Sequence, residues 1–323
     1  MQAKNLDTMI KILKYQKMNK KGIFFTILAI ALLSLFLISY SVYSFAQNRE
    51  GINKRIKTMN GYVSSLEKDI PRKLYISGYR VIFIFEKRIL DDMKYIEDIN
   101  SSFSEAFFYG TLGGVNYADS GGMLYEVTFP YIVRDINDNA KRLNLNVTFI
   151  NPNVSITQDD PWHVKVSLNT TLIIKDKGNL ASWNRTSTFY TYIPIENFDD
   201  PIYSLNTNKK VLNKFVKTNY SVPISIGNLV AHAGNSYYTN YTGAPNFLKR
   251  LQGDLSADPN GIESLINTTE LSHQLIDIQP KCIIDYIYFN STNPGLNCYV
   301  PNGAPNWIRI ENTPEHIAIY GPA

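Results

Sequence analysis

Cysteine and histidine are scarce in this chain. Its 323 residues hold two cysteines, Cys282 and Cys298, and four histidines, His163, His232, His273 and His316. The histidines stand singly, and no His-x-x-x-His or Cys-x-x-Cys spacing of the kind zinc sites use is present. A Gly-x-Ser-x-Gly nucleophile elbow is missing too. The glycine-rich run at 110–122 lacks a phosphate-cradling spacing and reads as a turn region. Asp159-Asp160 and Asp199-Asp200 lack the spaced oxygen ligands of a calcium loop and read as turn-forming carboxylates. His163 falls on the polar register of a strand, as a solvated histidine would, and His232 sits among small apolar neighbours without a nucleophile pattern. The net charge is only +4, and much of the excess lies in Lys4, Lys11, Lys14, Lys17, Lys20 and Lys21 against Asp7. No concentrated basic patch is left for nucleic acid. The expectation is therefore no enzyme, no cofactor, no metal and no nucleic-acid partner.

Against these absences stands one long apolar run. From Gly22 to Asn48 tyrosine is the only ionisable side chain, and the core from Ile23 to Val42 matches the roughly 20 residues a bilayer span requires. Lysines precede it, so the positive-inside rule keeps the N-terminus in the cytoplasm and places the remainder outside. Arg49, Lys54, Arg55 and Lys57 on the far side weaken that asymmetry without reversing it. Two readings of the run follow from composition alone: a retained single-pass anchor in contact with membrane lipid, or a secretory signal cut after Ala46.

Asn-x-Ser/Thr is over-represented. With 33 asparagines and Ser plus Thr near 13% of positions, roughly four matches are expected by chance, and nine occur. They start at Asn100, Asn146, Asn153, Asn169, Asn184, Asn219, Asn240, Asn267 and Asn290, all after the apolar run. As glycan acceptors they imply an extracytoplasmic body.

The chain then reads as α+β. Ile52, Ile56, Met59, Val63, Leu66 and Ile70 keep heptad spacing, which predicts one helix from Ile23 to Ile70 that ends or kinks at Pro71. That stripe suits packing against further copies or other subunits through the 52–70 face, or against the chain's own domain. A second amphipathic stretch covers 72–99, and short helices are expected at 101–109 and 129–143. At 145–195 the period changes to two: Trp162, Val164, Val166, Leu168 and Leu172 alternate with polar residues, and a return strand runs to Ile195. Asn146, Asn153, Asn169 and Asn184 all fall on the polar register of this antiparallel meander. Beyond 197 the chain is loop-rich, with short helices expected at 245–251 and 261–266. The stretch 282–320 reads as strands, with a turn at Asn293-Pro294-Gly295 bringing Cys282 beside Cys298. A disulfide there would contribute roughly 3 kcal/mol in the chain-entropy model, the alternative being two buried thiols. The aromatic run Tyr237-Tyr238-Thr239-Asn240-Tyr241 fits structural packing better than a binding platform.

Lys20-Lys21-Gly22 followed by Ile23-Phe24-Phe25-Thr26-Ile27 resembles the leader of type IV pilin-like proteins, in which the chain is cut after glycine and the apolar helix is retained. It departs at Ile27, where bacterial members carry glutamate. The chain as a whole resembles a group of archaeal single-pass membrane-anchored surface proteins. Gln158-Asp159-Asp160-Pro161-Trp162, Ala244-Pro245-Asn246-Phe247-Leu248 and Gly261-Ile262-Glu263-Ser264-Leu265 carry that likeness. It implies a surface location and an archaeal source and brings no site residues, while the leader resemblance implies cleavage between Gly22 and Ile23.

The expected organisation is a basic leader over 1–22, a transmembrane helix over 23–48, an amphipathic helical stalk over 49–99, and an extracytoplasmic α+β domain over 100–323. That domain is expected to be strand-rich at 145–195 and 282–320. The expected role is a cell-surface structural or interaction protein, a pilin-like subunit or an adhesin. An anchored extracellular hydrolase acting on envelope material is the alternative.

Overall fold

A single helix, α1, runs without interruption from Lys20 to Asp92 in the computed structural model, which describes residues 20–291 and 297–322. Its 73 residues make a rod about 110 Å long at 1.5 Å per residue. Most of the basic leader, and the Asn293-Pro294-Gly295 turn, lie outside the described residues. Pro71 neither ends the helix nor separates a second one. It has no N–H to offer the Glu67 carbonyl, which costs roughly 3 kcal/mol in a helix interior. Ile70 and Leu74 on either side are both 1% exposed, and that burial holds the chain helical through the proline.

The two halves of α1 differ sharply. No residue from Gly22 to Gln47 is buried, although nearly all are apolar. From Met59 onward one face turns inward, through Val63, Leu66, Ile70, Leu74, Val81, Ile82, Phe85 and Ile89. The heptad stripe thus splits: Ile52 and Ile56 stay exposed, while Met59, Val63, Leu66 and Ile70 pack on the chain's own domain. The segment expected as a separate stalk is the central helix of that domain.

Behind the helix lies an antiparallel sheet of β3 (Leu145–Asp160), β4 (His163–Asp176) and β5 (Ser182–Pro194), in that order, after a small hairpin of β1 (Thr111–Leu112) and β2 (Val115–Asn116). The β4–β5 register is unbroken from His163↔Pro194 to Lys175↔Ser182. The β3–β4 register shifts between Ile150 and Asn153, where Asn151 takes φ +48°. Val164, Val166, Leu168, Leu172 and Ile174 point inward against α1. Gly78 makes the close approach: a Cβ there would stand 2.7 Å from Ile193 Cδ1 and 3.0 Å from Val166 Cγ2. Helix α2 (Ile99–Tyr109), capped by Asp98, and α3 (Phe129–Arg142) complete this first core. Tyr62 Oη donates to the Ile136 carbonyl at 2.8 Å, and Lys73 meets Asp135 at 2.6 Å, joining α1 to α3.

A second core gathers Tyr203, Leu229, Leu265, Leu271, Ile284, Ile308 and Tyr320. The elements of this half are short: α4 (Pro201–Asn206), α5 (Ile226–Gly234), β6 (Tyr238–Asn240), α6 (Phe247–Gln252), β7 (Ile262–Ser264), α7 (Thr268–His273), α8 (Asp285–Tyr288), β8 (Cys298–Tyr299), β9 (Ile310–Glu311) and α9 (Pro314–Tyr320). Tyr238, Phe247, Leu248, Leu251 and Ile262 among them pack into the first core. Two expectations fail here. Within the 261–266 stretch residues 262–264 form strand β7, held extended by its antiparallel ladder with β6, and Gly261 before it packs on the Ala244 carbonyl with no room for a Cβ. The 282–320 stretch is not strand-rich. Residues 285–288 are helical because the Asp285 carboxylate is drawn into the interior, and 314–320 are helical behind the Thr313 cap and Pro314. Cys282 and Cys298 do meet at disulfide distance, with Cα atoms 5.5 Å apart, but they tie the approach to α8 onto β8 instead of closing a hairpin.

Candidate functional site

Two features stand apart from ordinary packing: the bare apolar half of α1, and a polar cluster sealed between the two cores. The bare half presents Phe24, Ile30, Phe36, Ile38, Val42 and Phe45, each about 60–70% exposed, around the full circumference of the helix. A helix apolar on every side is stable in lipid or within a bundle of similar helices, and costly in water. It is long and apolar enough to cross a membrane.

The sealed cluster centres on Arg250 in α6, whose guanidinium is fully buried. Nη1 donates to Asp200 Oδ2 at 2.6 Å and to Asp285 Oδ2 at 2.9 Å, and Nη2 to Asp285 Oδ1 at 3.3 Å. Nη2 also donates to the Ile262 carbonyl and Nε to that of Pro245. Both carboxylates are completed by other donors. Asp200, at the N-cap of α4, accepts from Ile202 N and from Tyr238 Oη at 2.8 Å. Asp285 accepts from Ser264 N, Ser264 Oγ and Tyr286 N, and Tyr203 Oη lies 2.9 Å from Ser264 Oγ. Burial opposes the Arg250 charge, but Asp285 and Asp200 more than offset it and hold the guanidinium above its ordinary pKa. Arg250, Asp200 and Asp285 are all closed to solvent, so this cluster clamps the segments that carry them.

Beside it lies a second buried network. His316 Nε2 is 3.2 Å from Glu263 Oε2, its Nδ1 is 2.8 Å from Thr313 Oγ1 and 3.2 Å from Glu311 Oε2, and Tyr320 Oη donates to Glu263 Oε1 at 2.8 Å. Burial would lower the His316 pKa, but Glu263, Glu311 and Glu315 more than offset it and hold the ring above its ordinary value. Tyr241 covers that ring at a centroid distance of 4.5 Å. Elsewhere, burial and nearby Asp199 push the Glu86 carboxyl up to about 9, so it sits neutral while Oε1 accepts from Asp199 N.

His232 is wholly buried in α5. Its Nδ1 is 3.2 Å from Thr218 Oγ1, its Nε2 has no partner, and burial depresses it to about 4. Among the described residues no carboxylate pairs with it. His163 pairs with Asp160, and Asp159 with Lys165, at a strand turn. Asp199 and Asp200 do not form a cation loop, since Asp200 belongs to the clamp. Within the aromatic run, Tyr238 belongs to the clamp and Tyr241 packs on His316. No group of three or more His, Cys, Asp or Glu placed to hold a metal occurs among the described residues. A cleft of about 510 Å³ opens at the far end of α1, but Arg88 is engaged by Asp92 and the Leu112 carbonyl, and Glu105 by Thr111.

Asn146, Asn153, Asn169 and Asn184 are exposed on one face of the sheet, and Asn100, Asn219 and Asn240 are exposed elsewhere. Asn267 and Asn290 are half-buried. Asn267 caps α7: its oxygen accepts from Thr269 N and Glu270 N, and its Nδ2 donates to the Gly234 carbonyl. The segments 158–162 and 244–248 meet at Gln158, which also binds Asn260, the residue before 261–265. Its Oε1 accepts from Leu248 N, its Nε2 donates to the Pro161 carbonyl, and its own carbonyl accepts from Asn260 Nδ2. Sequence reasoning did not find the clamp. A trace of it lay in Asp200-Pro201, a cap followed by proline at the first helical position, which marks a helix start.

Comparison with protein-family models, with curated proteins and with solved structures finds no match to this chain.

Proposed function

We propose that this chain is a membrane-anchored surface subunit: the bare half of α1 lies in lipid and the α+β domain stands outside as a structural or interaction module. One observation carries the reading, namely that the exposed apolar half of α1 and the buried half that forms the domain's spine are one unbroken helix. A core helix of a soluble protein would be buried, and this half has no buried residue. A signal peptide removed near Gln47 would leave the spine intact but gives no reason for the helix to run on through the cut. The pilin-like version adds cleavage between Gly22 and Ile23 and contacts with further copies through the bare half, including Ile52 and Ile56, since Met59 to Ile70 is already occupied. The hydrolase alternative gains nothing from the geometry around His232.

The test is the mature N-terminus and the membrane partition of the protein taken from its own cells. The pilin-like subunit should begin at Ile23, resist carbonate extraction and need detergent for release. An intact leader with the same partition would leave a plain anchor. Release into the aqueous fraction would overturn the membrane reading.

A further inference from the structure

We infer that the outer face of the β3–β4–β5 sheet is an N-glycosylated surface on which Asn146, Asn153 and Asn184 carry glycans and the glycan at Asn153 shuts out Asn169. The inference rests on the proposal that the domain lies outside the membrane. Its own basis is strand register. Asn146 and Asn153 are on β3 and Asn184 is on β5, the two edge strands, while Asn169 is on the central strand β4. All four are exposed on the face opposite α1.

Asn169 is hemmed in on both sides, with Asn153 as its cross-strand partner on β3 and Thr188 on β5. Directly opposed residues hold their Cβ atoms about 4.5–5.5 Å apart. Two short side chains fit that gap, whereas two glycan-bearing ones compete for the same space above the sheet. Asn153 has the freer position. It follows the register shift after Ile150, where the edge strand is released from its ladder and bends. The exclusion holds whichever comes first, transfer or folding: a modified Asn153 blocks access to a folded sheet, and a doubly modified chain cannot close the β3–β4 pair without crowding. Asn267 is committed differently, since its oxygen caps α7 and its Nδ2 is already bonded.

The chemistry requires a lipid-phosphate-activated oligosaccharide and the cell's transferase. Nδ2 of asparagine bonds to the anomeric carbon, the anomeric C–O bond to the lipid phosphate breaks, Nδ2 gives up one proton, and the lipid phosphate leaves.

Glycopeptide mass spectrometry on the protein purified from its own membranes tests this. The expected map has glycan at Asn146, Asn153 and Asn184, a bare Asn267, and Asn169 bare on peptides whose Asn153 is modified. Asn153→Gln, and independently Ser155→Ala, should raise Asn169 occupancy several-fold. Full occupancy of Asn153 and Asn169 together on one uncut peptide overturns the inference, as does an Asn169 that stays bare in both variants. Labelling of Leu275→Cys by a membrane-impermeant maleimide in intact cells separates the two layers of the argument. A labelled but glycan-free protein overturns this inference alone. A protein labelled only after lysis overturns the orientation as well.

Discussion

Replacing Arg250 with methionine is expected to be the most damaging single change in the domain. The side chain is similar in length and apolar, so the lost charge matters more than lost volume. Two carboxylates, Asp200 and Asp285, are left in a site with no solvent access. Removing one partner of a buried ion pair typically costs about 3–5 kcal/mol, and Arg250 serves two partners and two carbonyls. At about 4 kcal/mol the midpoint of thermal unfolding should fall by roughly 8–16 °C for a domain of this size. Trp162, Trp183 and Trp307 report that transition by fluorescence on the full chain in detergent. The loss should depend on pH. Burial already raises the Asp200 pKa and Arg250 opposes that rise, so in the variant Asp200 lies further above its unfolded value. Its contribution to stability is therefore intact below the unfolded pKa of about 3.9 and lost as pH rises from there through the folded value. Arg250→Met should thus lie closer to the native protein at pH 4.5 than at pH 7.5. The combined variant Arg250→Met, Asp200→Asn, Asp285→Asn should recover part of the loss at pH 7.5. A single variant within about 0.5 kcal/mol of the native protein, the range of an ordinary surface substitution, would refute the reasoning. So would a combined variant no better than the single one.

Two further changes probe the junction of α1 with the domain. Glu86 is buried with its pKa pushed up to about 9, so its ionisation costs stability as pH rises from the unfolded value near 4.5 to about 9 and adds no further cost above that. Glu86→Gln is expected to stabilise by roughly 1–3 kcal/mol at pH 7, a gain that grows toward pH 9 and vanishes below pH 4, measured by urea midpoints; a constant difference across that range would count against it. Gly78→Val should destabilise by about 1–3 kcal/mol through overpacking on Ile193 and Val166. Gly78→Ala should lie between the two because its helix propensity returns about 1 kcal/mol; a Val variant as stable as the native protein would show that the helix is free to shift off the sheet.

What was legible in the sequence was what repeats. The apolar run, the heptad stripe through Ile70 and the period-two strands at 145–195 each recur along the chain, and each maps onto an observed element. The polar register also placed Asn146, Asn153, Asn169 and Asn184 on one open face. What escaped was non-periodic. Pro71 reads locally as a stop, and only the burial of Ile70 and Leu74 carries the helix past it. Residues 282–289 are rich in isoleucine and aromatics, which favour strands, yet Asp285 is pulled into the clamp and the segment coils. Asp200, Tyr238, Arg250 and Asp285 come from four distant segments with no spacing rule between them, so no window of sequence holds the cluster. Thr313-Pro314-Glu315 was the exception: it carries the cap, proline and acidic residue of a helix start and could have been read as one.

The unbroken course of α1 has a mechanical consequence. There is no hinge loop between its bare half and the half packed against β4 and β5, so whatever grips the first also grips the second. A pull on the domain is delivered along the rod as shear, spread over the contacts from Met59 to Ile89, instead of peeling one residue at a time from a flexible tether. Gly78 against Ile193 and Val166, and Lys73 on Asp135, act as keys in that joint. Under load the domain and its rod should yield together.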